Sequence, residues 1–189
     1  MRWVPLSGIL VAVACFGAAA ARYPGGYDWS RDYFSTLLRA APSPSRTMAI
    51  VGLLVFCASI GFGFERLSRA AESVRRAKVI RIGGIGSMVY ASLTITPMHD
   101  LMVTVALVFF VIAMVALLRG LYASHETGMF AAGCGCLALL SASAAVYYTE
   151  QYVVALPWAQ RVSFAALAAW LVSLDLRTSS PTSTRPNRW

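Results

Sequence analysis

Residues 101–118 read LMVTVALVFFVIAMVALL, eighteen positions without a charge, and this run decides the fold. About 20 helical residues cross a hydrocarbon core roughly 30 Å thick, so the run reads as a membrane-spanning helix. Five further stretches share its character: Pro5–Ala21, Met48–Phe64, Ile80–Thr96, Gly128–Tyr148 and Pro157–Leu174. Lys, Arg, Asp and Glu collect in the joints between them. A water-soluble chain of 189 residues has nowhere to hide 58% hydrophobic residues. The sequence therefore predicts an all-α, polytopic membrane protein. Residues 1–177 form a six-helix transmembrane bundle, and the aperiodic Ser/Thr/Pro/Arg tail 178–189 is disordered.

Charge sets the orientation. With both termini in the cytoplasm, eleven basic residues lie inside: Arg2, six between Arg66 and Arg81, Arg119, Arg177, Arg185 and Arg188. Five remain outside, namely Arg22, Arg31, Arg39, Arg46 and Arg161. The inverted arrangement reverses this ratio and breaks the positive-inside rule, so the chain is read as N-in and C-in. Met1-Arg2, the apolar run and Ala18–Ala21 have the outline of a cleavable secretory signal. That run is long enough to span and five more follow it, so it is read as a retained first helix.

Two loops carry further structure. Glu65 to Arg81 is Arg-rich and predicts a short surface helix continuing the second span, set against anionic lipid heads. Outside, Tyr23-Pro24-Gly25-Gly26 is a turn-forming run. Asp28 or Ser30 then caps a short extracytoplasmic helix reaching roughly Arg39. Tyr33, Phe34, Leu37 and Leu38 share one face of it, as expected for a helix in the interface or folded over the bundle mouth.

The orientation also sorts the polar residues. Asp28, Ser30, Asp32, Ser35, His99, Asp100, Tyr148, Glu150, Gln160 and Arg161 all fall at the outer face, while the inner face reads as mostly unpaired positive charge. Asp100 in the first turn of a helix stabilises the helix dipole; beside His99 it also makes a candidate proton-transfer pair. Asp28 and Asp32, four apart, suit general acid–base work if they share a helix face. Arg161 opposes the dipole of its own helix and needs a partner near the membrane, for which the outer acids Asp28, Asp32, Asp100 and Glu150 are available, so it reads as a clamp to the outer loop or an anchor for an anionic group.

Other chemistry is poorly supported. Catalytic zinc usually has three protein ligands, and only two histidines exist, with His125 on the other side; no metal and no cofactor is expected. No GxSxG, HExxH or P-loop pattern is present. Gly83-Gly84-Ile85-Gly86 opens an apolar span with no strand before it, so it reads as close helix packing and not as a dinucleotide loop. Ala132, Cys136, Ser141 and Ala145, and Ala165, Ala168 and Ala169, carry the same message, with Ser87, Tyr90, Thr94 and Ser141 as interior hydrogen-bonding groups. Cys15, Cys57, Cys134 and Cys136 read as small buried hydrophobes. The net charge of +8 lies beside spans and not on a folded face interleaved with aromatics, which argues against nucleic acid.

Three short segments resemble one family. Tyr27-Asp28-Trp29-Ser30 with Tyr33-Phe34-Ser35-Thr36-Leu37-Leu38 resembles the first-loop motif of small bacterial membrane proteins of the DUF 998 type, with Arg39 where the family has glycine. Thr96-Pro97-Met98-His99-Asp100 resembles their junction between helices three and four, and Leu156-Pro157-Trp158-Ala159-Gln160-Arg161 the polar start of their last helix. That family is in turn similar to the Frag/DRAM/Sfk membrane proteins. The resemblance implies a six-pass bundle with an outward-facing polar cluster. The expectation is a protein of the bacterial cytoplasmic membrane that binds a lipid head group, anionic lipid included, or a partner membrane protein. Its contacts would be Asp28, Ser30, Asp32, Ser35, His99, Asp100, Glu150 and Arg161. A membrane enzyme acting on a lipid-linked substrate, with His99, Asp100 and Asp32 as acid–base groups, is the alternative. A small transporter is a second, although transport would normally need ionisable groups at mid-bilayer and none is visible there in these spans.

Overall fold

A computed structural model of the chain describes residues 3–149 and 152–178. Among these residues the structure is all-α. The helices are α1 (Val4–Ala21), α2 (Phe34–Arg39), α3 (Pro44–Ala70), α4 (Val74–Ser92), α5 (His99–Ala123), α6 (Thr127–Thr149) and α7 (Leu156–Thr178), and a 3₁₀ turn (Leu93–Ile95) follows α4. Of these, α1, α3, α5 and α6 are long and apolar enough to cross a membrane, the build of a membrane protein. The lengths of α4 and α7, 19 and 23 residues, are comparable, but both helices carry several charges.

Local chemistry sets the ends. Ser43 accepts the Arg46 backbone N–H at 3.2 Å and Pro44 follows it, so α3 starts with a capped and pre-set first turn. Ser73 does the same for α4 through Arg76. At the end of α5, His125 adopts the left-handed conformation (φ 57°), its N–H bonds the Tyr122 carbonyl, and the Glu126 N–H reaches back to Leu121 at 3.0 Å. This is a Schellman closure, which satisfies carbonyls that the helix end would leave bare.

Sequential helices pack side by side, and α7 closes back onto α3, with α1 against the outer side of α3. The main core lies toward the end where α3 meets α4. Phe64 and Leu67 (α3), Ile80 (α4), Met114, Leu117 and Leu121 (α5) and Leu174 (α7) are all fully buried there. A smaller cluster, Ala19, Ala20, Leu37, Leu38 and Ala49, fills the opposite end beneath α2. Outward-facing positions are as apolar as the core: Leu10, Val13, Ile82 and Val108 are all more than half exposed. That is the pattern for a bundle whose solvent is hydrocarbon.

Glycine permits the tightest crossings. A Cβ on Gly83 would stand 2.9 Å from the Phe109 carbonyl oxygen, and one on Gly84 would fall within the Phe64 ring. The Gly83-Gly84 segment thus packs between α3 and α5, as its reading as a helix-packing element requires.

Several expectations are corrected. Glu65–Arg81 does not form one surface helix: α3 runs on to Ala70, the chain breaks at Ala71-Glu72-Ser73, and α4 starts at Val74. The helix of the first loop, α2, is six residues long and starts at Phe34, not at Asp28 or Ser30. The buried stripe of α6 is Met129, Gly133, Cys136 and Ser143; Ala132, Ser141 and Ala145 face outward, as do Ala165 and Ala169 of α7. Register explains this, because Trp170 of α7 packs on Gly133 and its indole N–H donates to the Met129 carbonyl at 2.9 Å. The interior hydroxyl pair is therefore Ser143 with Ser163, 2.8 Å apart, and not Ser141. Cys134 is exposed, while Cys57 and Cys136 are buried.

Candidate functional site

The loop from Arg22 to Ser43 folds down over the α1, α3 and α7 ends. Leu37 and Leu38 are its plug, and Phe34 rests on Phe16 of α1 (ring centroids 5.3 Å) and on Phe164 of α7 (6.3 Å). Ser45, fully buried at the start of α3, donates to the Ala19 carbonyl at 2.7 Å and ties down the same corner. Of the two placements open to the apolar stripe of α2, the structure takes the folded one.

Arg161 holds this loop. Its guanidinium donates to the Trp29 carbonyl, to the Asp32 carbonyl at 2.7 Å and to the Tyr27 oxygen at 3.1 Å. The rings of Trp29, Phe34 and Trp158 stand 5.4, 5.5 and 5.8 Å from its central carbon. The acids foreseen as its partners are not the ones it bonds: among the described residues, no carboxylate lies within ion-pair distance of Arg161. Carbonyl oxygens and aromatic faces stabilise a cation without a second buried charge. The Tyr27 phenol, held above its ordinary value by burial despite the opposing pull of the Arg161 guanidinium, donates in turn to the Asp32 carbonyl at 3.2 Å.

Asp28 and Asp32 form a turn of their own. The Asp28 carboxylate accepts the Ser30 hydroxyl at 2.5 Å and its backbone N–H at 2.8 Å, bonds that hold the exposed carboxyl below the ordinary carboxylate range. Asp32 accepts the backbone N–H of Asp28 at 2.8 Å. Neither is on a helix, so they do not share a helix face. Ser35 lies in the first turn of α2.

A second polar group gathers where α2, α5 and α6 meet. Asp100 accepts the Tyr147 hydroxyl at 2.6 Å and faces Arg39 at 3.4 Å. Thr104, one turn on, pairs with the Tyr148 hydroxyl at 2.7 Å. The Arg39 and Asp100 side chains are 58% and 72% exposed, so this pair is open to whatever lies outside. His99 is turned the other way: its Nδ1 meets the Thr94 carbonyl at 2.7 Å and closes the 3₁₀ turn after α4. The structure thus brings Arg161 to the 27–34 segment, and Asp100 to Arg39 and Tyr147. Glu150 lies outside the described residues. Among those described, no three of His, Cys, Asp and Glu cluster in a way that would hold a metal ion.

At the opposite end part of the positive charge is paired: Glu65 meets Arg69 at 2.9 Å and Arg81 at 2.8 Å, Arg177 meets Glu126 at 3.7 Å, and Arg66 of α3 meets Asp175 of α7 at 3.0 Å. Asp175 is only 2% exposed. It sits one residue past the span Pro157–Leu174 drawn from hydropathy, and that adjacency was the available signal. Comparison with protein-family models, curated proteins and solved structures yields no match to this chain.

Proposed function

We propose that the chain is a six-pass protein of a bacterial cytoplasmic membrane, N-in and C-in and of the DUF 998 type, whose outer end engages a lipid head group. The six-span count is supported by cross-links at both ends. The Arg161 clamp and the His99–Thr94 bond gather one end of α4, α5 and α7. Arg81–Glu65 and Asp175–Arg66 gather the other, so α4 and α7 run the full height of the bundle.

One observation carries the head-group reading: the exposed Arg39–Asp100 pair, opposite charges 3.4 Å apart beside Tyr147 and Tyr148. A weak, solvent-open ion pair contributes little to stability. It does match the phosphate and ammonium of a zwitterionic head group, and tyrosines suit that depth in the membrane. Gentle extraction followed by mass spectrometry of bound lipid tests this. Wild type is expected to retain a zwitterionic lipid that Arg39→Gln with Asp100→Asn loses. Loss of a co-purifying protein instead would favour a partner surface, and an unchanged lipid profile would sink the reading.

A further inference from the structure

At the other end of the molecule, independent of the head-group reading, α4 presents a surface with two characters. Arg75, Lys78 and Arg81 occupy its first two turns and are all exposed. Ile82, Ile85, Gly86 and Val89 continue the same stripe, because positions 78, 82, 85 and 89 return to one side of a 3.6-residue helix. A shallow, open groove follows this line, lined by Lys78, Arg81, Ile82, Ile85 and Gly86, all of α4. Gly86 lets α5 approach this stretch closely, since an added Cβ would stand 2.7 Å from the Phe109 ring.

The charges of this surface are unequally used. Arg81 already shares Glu65 with Arg69. Among the described residues no carboxylate lies within ion-pair distance of Arg75, Arg76 or Lys78. Antiparallel packing of Gly83 against Ala113 also brings exposed Arg119 of α5 level with the start of α4. We infer that this groove is a binding site for one anionic phospholipid. Its phosphate lies against Lys78 and Arg75, and an acyl chain lies along Ile82, Ile85 and Val89. Basic groups at the interface with an apolar channel running toward mid-bilayer are what such a lipid requires. A soluble phosphate would meet the cations but leave the apolar half of the groove unused.

Native mass spectrometry of the full chain in mild detergent, with equal phosphatidylglycerol and phosphatidylcholine of matched chains, decides the matter. Wild type is expected to retain phosphatidylglycerol several-fold over phosphatidylcholine. Arg75→Gln with Lys78→Gln brings the ratio toward unity. Ile82→Trp, which fills the groove without touching a charge, lowers retention of both lipids. Arg31→Gln, at the far end, leaves the ratio unchanged. All these side chains are exposed, so the melting temperature in detergent serves as the folding control. Parity of the two lipids in wild type, or a preference that survives in the double variant, overturns the inference. So does an equal loss in Arg31→Gln, which would mean diffuse attraction, or an Ile82→Trp variant that binds as wild type does.

Discussion

Arg161 shows how a residue can be located by sequence and still misread in its bonding. A cation in the first turns of a helix opposes the dipole there and needs compensation near the membrane, which marked it as a clamp. The acids of the loop were the visible candidates for partners. Backbone carbonyls took the role instead, and no sequence pattern announces which carbonyl a turn will aim inward. The aromatics were readable in part: Trp158 lies one turn before Arg161, whereas Trp29 and Phe34 arrive only through the fold of the loop. Arg161→Ala should destabilise the protein by about 2–3 kcal/mol, since bonds from a charged donor and the stacking contacts go together. Arg161→Lys should rescue little of this, because one ammonium cannot serve three separated acceptors in a planar fork. Thermal unfolding in detergent, with proteolysis of the 22–43 loop as a local reporter, checks both.

At the scale of helices, hydropathy located all six long segments, and it erred where charge and apolar surface share one helix. The Arg-rich connector read as one surface helix continuing the second span because its charges are dense and no Pro or Gly interrupts it. Pairing of Glu65 with Arg69 and Arg81 lets those charges sit on the ends of α3 and α4 instead. The crossings depend on glycine. Gly84→Ala should cost about 1–3 kcal/mol, because the new methyl and the Phe64 ring compete for one place. Gly17→Ala, with nothing within 4 Å of the added carbon, should be neutral or gain up to about 1 kcal/mol from helix propensity. Melting curves of the two variants would expose the contrast, and similar losses in both would refute it. The α3–α7 contact invites a different comparison. Asp175→Leu alone places an apolar side chain opposite the Arg66 guanidinium and should cost about 3–5 kcal/mol, while adding Arg66→Met should recover most of that loss. A double variant worse than the single one would mean that Arg66 stabilises the bundle through other groups.

For the whole molecule, the two ends differ in kind, and the proposed orientation rests on that difference. One end holds a folded loop, an aromatic-lined guanidinium and few net charges. The other holds Arg66, Arg69, Arg75, Arg76, Lys78, Arg81, Arg119 and Arg177 among its described residues. Pairing with Glu65, Glu126 and Asp175 leaves the count of basic groups untouched, and it is Lys and Arg, not net charge, that bias insertion. What sequence lacked was the height of each residue in the bundle, which fixes that α4 and α7 connect the same two ends as their neighbours. Orientation therefore rests on a quantity the fold does not alter, and it is open to direct measurement. In a background with Cys15, Cys57, Cys134 and Cys136 replaced, Arg31→Cys should react with an impermeant maleimide in intact cells, since its side chain is exposed in the loop. Glu72→Cys, in the exposed break between α3 and α4, should react only after the membrane is opened. The reverse pattern would move the Arg39–Asp100 pair to the cytoplasmic leaflet and the basic face of α4 to the outer one. Labelling of both sites in intact cells would mean that α3, the one long helix between them, does not cross.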